Sequence, residues 1–170
     1  AQAATGESWA DLYQSRVAQP LGMEDTVYNW PSVTNPRLSA GAVTTLQDFQ
    51  RFAEAMLTNP YWPTTWDEMV IDHTPNDSVT MGYNPMSNPS RGWHYGLGVW
   101  LECKNPGWED SCNSVGVISA SGMFGFHLWV DTVRGFYAVL AMEDQFSGWQ
   151  TSLQLSMVLR DDVAAAVLSE

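Results

Sequence analysis

The hydrophobic pattern changes period near Tyr95, and that change restricts the fold more than any other feature. Before it, apolar residues recur at three and four positions. The segment "TTLQDFQRFAEAMLTNP" sets Leu46, Phe49, Phe52, Ala53, Met56 and Leu57 on one helical stripe, with Thr45 placed to cap it, Asp48 three residues on, and Pro60 as its stop. After it, "YGLGVWLEC", "FHLWVD" and "FYAVLAMED" alternate as half-buried strands do. The last two are separated by "TVRG", which predicts an antiparallel hairpin, with Asp131 as the turn-initiating residue. The closing "WQTSLQLSMVLRDDVAAAVLSE" predicts a helix with Leu153, Met157, Val158 and Leu168 among its apolar positions. Helices followed by an antiparallel meander and a final helix define an α+β fold.

Three further segments complete the outline. "ESWADLYQSRVAQPLG" predicts a helix carrying Trp9, Leu12, Tyr13 and Val17, started by Thr5 or Ser8 and ended by Pro20. Residues 21–44 are punctuated by Pro and Gly and predict a long ordered loop, and residues 61–94 an irregular surface with a short helix near Trp66–Ile71. At 170 residues the chain has the length of one domain, a helical and loop region over 1–94 and a strand-rich region over 95–170.

Composition excludes several functions. Seven basic against 19 acidic residues give a formal charge of −12, which repels nucleic-acid backbones and anionic membranes. No apolar run approaches the length of a membrane span. The nine Trp are expected in core and interface packing, with an aromatic sugar-binding surface as the alternative. Cys103 and Cys112 flank "KNPGWEDS" with no further ligand nearby, so a metal site is not expected. A disulfide across that loop is expected, implying an oxidising compartment, with two unpaired thiols as the alternative. His73, His94 and His127 are widely spaced and are expected to be structural or exposed, and the adjacent Asp72 and His73 are not expected to form a dyad.

Four pieces occur in an order that carries a resemblance. "TGESWADLYQSRVAQPLGMEDT", "RLSAGAVTTLQDFQRFAEAML", "YGLGVWLE" and "SGMFGFHLWVDTVRGFYAVLAMED" together resemble the C-terminal part of the serine β-lactamase and penicillin-binding protein-like hydrolases. That superfamily includes class C β-lactamases, D-amino-acid peptidases and β-lactamase-fold esterases. The resemblance implies the β-lactamase/transpeptidase-like fold and hydrolysis of a small-molecule ester, amide or β-lactam-like substrate through an acyl-serine, without a cofactor.

The same resemblance implies three catalytic elements, of which two are absent. No Ser-x-x-Lys exists, because the only lysine, Lys104, has Leu101 three residues before it, and no Tyr-x-Asn or Ser-x-Asn occurs upstream of "PLGM", where the resemblance places that loop. Ala120-Ser121-Gly122 falls at the third, the Lys/His-Thr/Ser-Gly strand, which implies substrate contact there and an oxyanion-hole role for the N–H of Met123. Alanine in place of lysine removes a cation and favours an esterase or amidase over turnover of β-lactams or peptidoglycan. The chain is therefore expected to be part of a larger hydrolase and inactive alone. It is expected to be periplasmic or secreted, and to associate with the missing N-terminal half or to dimerise or domain-swap. The alternative is a non-catalytic binding protein or pseudoenzyme of the same fold.

Overall fold

The computed structural model describes residues 1–58, 63–74, 93–102, 116–144 and 148–169, so Cys103, Lys104 and Cys112 lie outside the described residues. Two compact units make up the chain, Ala1–Ala55 and Met56–Glu170.

In the first unit, a short α1 (Gln2–Thr5) precedes α2 (Trp9–Tyr13), which runs through a π-helical stretch, Gln14–Ala18, into α3 (Gln19–Leu21). Ser8 is the cap, its Oγ accepting the Asp11 N–H at 3.2 Å. The helix was expected to end at Pro20, yet it passes that residue. Proline lacks the N–H an α-turn needs and crowds the carbonyl four residues back; the wider π-turn before it relieves that clash. The helix closes one residue later in a Schellman motif: Met23 N–H bonds Ala18 O, Gly22 N–H bonds Gln19 O, and Gly22 takes φ +66°. Around this stop Tyr13, Ala18 and Met23 are buried with Tyr28 and Phe52 against them, and the Tyr13 and Tyr28 rings meet edge to face at 4.9 Å.

The expected loop over 21–44 contains a small antiparallel ribbon, β1 (Val27–Tyr28) with β2 (Ala42–Val43). Two-residue strands are too short to show a period, which is why the pattern gave no sign of them. The helix α4 (Leu46–Thr58) begins as expected, Thr45 Oγ1 accepting the Asp48 N–H at 3.2 Å. Asp48 is fully buried. Its carboxylate accepts from Asp25 N–H and Thr26 Oγ1 at 2.8 Å each, and from Arg51 at 2.7 Å. Burial pushes its pKa up, but the bonds from Thr26, Asp25 and Arg51 outweigh that and hold it below the ordinary carboxylate value.

The second unit holds α5 (Pro63–Met69) and a five-stranded antiparallel sheet. The strands β3 (His94–Tyr95), β4 (Trp100–Glu102), β5 (Val117–Ser121), β6 (His127–Asp131) and β7 (Phe136–Leu140) are neighbours in chain order. "YGLGVWLEC" was expected as one strand; it is a hairpin instead. Gly98 at φ +82° and the Gly96 N–H to Val99 O bond turn the chain between β3 and β4. The β6–β7 hairpin forms as expected, with Asp131 Oδ1 accepting the Arg134 N–H at 2.8 Å.

One face of the sheet packs on α6 (Gly148–Leu168), burying Trp129, Phe136 and Ala164, with Trp100 meeting Leu153 nearby. Trp93, Trp100 and Trp129 are core residues, in line with the packing reading of tryptophan. The helix does not approach on the stripe expected from its large apolar residues. Gly148, Ser152 and Ser156 are buried at four-residue spacing, with Ala164 eight residues further on, whereas Met157, Val158 and Leu168 are exposed, and only Leu153 of the expected set is buried. Small side chains let the helix axis lie close to the sheet, which turns the bulky residues outward.

Candidate functional site

The end of β5 and the turn that follows it hold the residues singled out in the sequence. Adjacent strand residues point to opposite faces, so the pleat divides Ala120 from Ser121. Ser121 shares the α6 face with Val117 and Ser119 of β5 and with His127, Trp129 and Asp131 of β6, and lies directly opposite His127. Gly122 then leaves the sheet and is exposed.

The turn is tightly closed. Gly122 donates to Phe126 O at 2.7 Å and Gly125 donates to Gly122 O at 2.9 Å. Gly125 has φ +100°, and a Cβ there would stand 2.8 Å from Met142 Cγ. A Cβ at Gly122 would stand 3.0 Å from Phe126 O. Gly122 is therefore set by the tightness of the turn, and Gly125 by its positive φ and the close approach of Met142 and Gly148. Met123 occupies the second position of this turn and is 55% exposed. Its carbonyl accepts from Trp149 N–H at 3.3 Å, while its own N–H makes no hydrogen bond among the described residues. An exposed, fixed and unbonded backbone donor can stabilise an oxygen on which negative charge develops.

Ser121 Oγ lies 2.5 Å from His127 Nδ1. His127 is fully buried, and burial, together with the positive charge of Arg160, lowers its pKa from 6.5 to about 4. The imidazole is thus neutral at pH 7 and cannot supply the cation that a lysine at position 120 would have supplied. Arg160 reaches across from α6 to make a bidentate pair with the buried Glu102 of β4, and its guanidinium carbon lies 5.6 Å from the Trp129 ring centre. The role of His127 was not visible in its spacing to other histidines. The signal that could have found it is the two-glycine, five-residue turn between positions 121 and 127, which places those two residues opposite one another.

A second pair was also missed. Asp72 does not engage the adjacent His73; its Oδ2 lies 2.7 Å from Nδ1 of His94, while Oδ1 accepts from Thr74 N–H and Oγ1. His73 instead places Nε2 3.0 Å from Glu68 O. Adjacent residues on an extended segment diverge, so the partner had to come from elsewhere in the chain. Among the described residues no group of three or more His, Cys, Asp or Glu is arranged to hold a metal ion, and no helix is long and apolar enough to cross a membrane.

Comparison with known proteins places this geometry in context. The family described as Beta-lactamase matches residues 1–154. Among solved structures, a beta-lactamase from Mycobacterium bovis is 25% identical with a TM-score of 0.71, the match covering 97% of this chain and 58% of that one. A mutant of simvastatin synthase from Aspergillus terreus is 11% identical at TM-score 0.70, covering 99% and 52%. EstCE1, described as a hydrolase with promiscuous acyltransferase activity, is 17% identical at TM-score 0.60, covering 86% and 49%. The chain thus spans about half the length of the structures it matches. A search of curated proteins returns no match.

Proposed function

Since this chain belongs to the Beta-lactamase family, we propose that it supplies the C-terminal part of a serine hydrolase acting on a small ester or amide. In that reaction a serine oxygen outside these residues attacks the acyl carbon and the carbonyl oxygen takes up negative charge. The leaving group departs with a proton, and water then cleaves the acyl-serine. The Met123 N–H binds the charged oxygen, Gly122 lets the backbone approach the acyl group, and Ser121 contributes its hydroxyl. Ala120 leaves the site without the lysine that would grip an anionic substrate, which favours neutral esters and amides. The similarity to EstCE1, a hydrolase with promiscuous acyltransferase activity, supports this direction.

The observation that carries this reading is the unbonded N–H of Met123 on an exposed turn closed by Gly122 and Gly125. Alone, residues 1–170 are expected to be inactive against nitrophenyl esters and a chromogenic cephalosporin, because they hold no Ser-x-x-Lys. Clear turnover by this chain would overturn that expectation. In enzyme completed with the N-terminal half, Met123→Pro fits the second position of the turn yet removes the N–H. It should lower kcat by roughly 100- to 1,000-fold, and an unchanged kcat would remove Met123 from the oxyanion hole. Should the completed enzyme turn over no ester or amide, the non-catalytic reading prevails.

Two further expectations accompany this reading. The outward apolar residues of α6 and the edge strand β7 are surfaces for the N-terminal half or a second copy of the chain. A Cys103–Cys112 disulfide and a periplasmic or secreted location are proposed together, and a thiol titration that finds two free thiols would remove both.

A further inference from the structure

The turn from Gly122 to Gly125 carries large apolar residues at both central positions, Met123 at 55% and Phe124 at 40% exposure. Turn chemistry does not ask for them, since central turn positions favour Pro, Asn, Asp, Ser and Gly. Single exposed apolar residues are ordinary on any protein surface. Outside α6, however, no other two exposed large apolar residues are adjacent in the chain among the described residues. Neither side chain belongs to the clusters that bury Trp100 and Trp129.

The backbone beneath them is fixed. Asp144 N–H donates to Phe124 O at 2.8 Å and Trp149 N–H to Met123 O at 3.3 Å, so both central carbonyls are engaged. The start of α6 presses on the same turn: a Cβ on Gly148 would collide with the Phe124 carbonyl and stand 2.7 Å from Gly125 N. The turn therefore keeps its two exposed side chains in place beside the Met123 N–H.

Charge narrows what can lie there. Asp144 adjoins the turn and Glu143 precedes it, both exposed, while Ala120 supplies no cation. The described arginines of the second unit are already engaged, Arg134 by Asp131 and Asp161 and Arg160 by Glu102. A negatively charged ligand group would meet repulsion at this turn.

We propose that the Met123 and Phe124 side chains form an apolar lip that selects substrates carrying an uncharged aliphatic chain next to the scissile carbonyl. The role in substrate choice rests on the hydrolase reading above, which places a carbonyl at the Met123 N–H; the affinity of the lip for an aliphatic chain does not. A chain lying on an open lip buries about half of each methylene, worth about twofold in kcat/KM per methylene.

In enzyme completed with the N-terminal half, pH-stat assays compare methyl acetate with methyl hexanoate, longer on the acyl side, and hexyl acetate, longer on the alcohol side. At least one long ester should exceed methyl acetate by about tenfold in kcat/KM, which also identifies the side that the lip holds. Phe124→Ser should remove most of that advantage and leave methyl acetate within about twofold, while Phe124→Leu should keep it. A terminal carboxylate on the favoured chain, as in monomethyl adipate or 6-acetoxyhexanoate, should cancel the advantage. Equal kcat/KM for short and long esters, an undiminished advantage in Phe124→Ser, or an advantage that survives the carboxylate would each overturn the proposal. If the completed enzyme turns over none of these esters, the hydrolase reading fails, and hexan-1-ol binding to the 170-residue chain then tests the lip through the Met123 methyl NMR signal. A saturable shift that Phe124→Ser abolishes would uphold the lip, and an unmoved Met123 signal would overturn it.

Discussion

Nδ1 of His127 and Oγ of Ser121 lie 2.5 Å apart, where β5 gives way to the turn that carries Met123. A surface strand end is thereby tied to a fully buried ring, and the tie has consequences for pH.

The folded His127 has a pKa of about 4 against 6.5 when unfolded. Between those values the unfolded chain binds more protons, so stability rises with pH. The contribution is fully present above about pH 6.5 and is lost as pH falls toward 4. It amounts to about 3 kcal/mol over that window. Urea midpoints at pH 7 and pH 4.5 should differ clearly in the wild type and much less in His127→Asn. A variant with an undiminished difference would assign the acid sensitivity elsewhere.

Arg160 and Glu102 form a buried ion pair between α6 and β4. Arg160→Met should destabilise the chain by about 3–5 kcal/mol, because it strands a carboxylate in the core. Adding Glu102→Gln should recover much of the loss. Thermal unfolding of the two variants measures this, and a single variant as stable as wild type would show that Glu102 reaches solvent or another partner.

Asp48 organises the first unit by accepting from Asp25, Thr26 and Arg51. Asp48→Asn keeps one acceptor oxygen where two were in use, and should cost about 1–3 kcal/mol. Since the folded carboxylate titrates below its ordinary value, its stabilisation is present above about pH 4 and fades as pH falls through that lower folded value. Chemical denaturation of wild type and variant at pH 7 and pH 3 checks both size and direction: the gap between them should narrow at the lower pH.

The outward face of α6 carries Val158, 75% exposed, with Leu155, Met157 and Leu168 also exposed. Light scattering should find the chain self-associated, and the N-terminal half, when supplied, should displace that association. Val158→Glu should shift the chain toward monomer without changing its helix content. A monodisperse wild-type monomer would count against these surfaces being partner sites.

Much of this architecture could be read from local chemistry. The change of period near Tyr95 separated helices from strands, Thr45 set the start of α4, and Asp131 set the β6–β7 turn. Each is decided within a few residues, so the local sequence carries it. Two local readings failed for the same reason. Pro20 did not stop its helix and "YGLGVWLEC" did not form one strand, because a π-turn and a pair of glycines redirected the backbone.

What only the tertiary structure decided is which distant groups meet. The sequence placed Ser121 and Met123 at one strand end, and it could equally place Asp72 beside His73. It could not show that Asp72 turns to His94, that α6 packs on its small residues, or that Ser121 is held by His127. Those outcomes depend on the pleat, which sends neighbouring side chains to opposite faces, and on the burial of a helix that makes one imidazole neutral. Hydrophobic period and turn chemistry act over a few residues, whereas burial and the pairing of polar groups are properties of the packed whole.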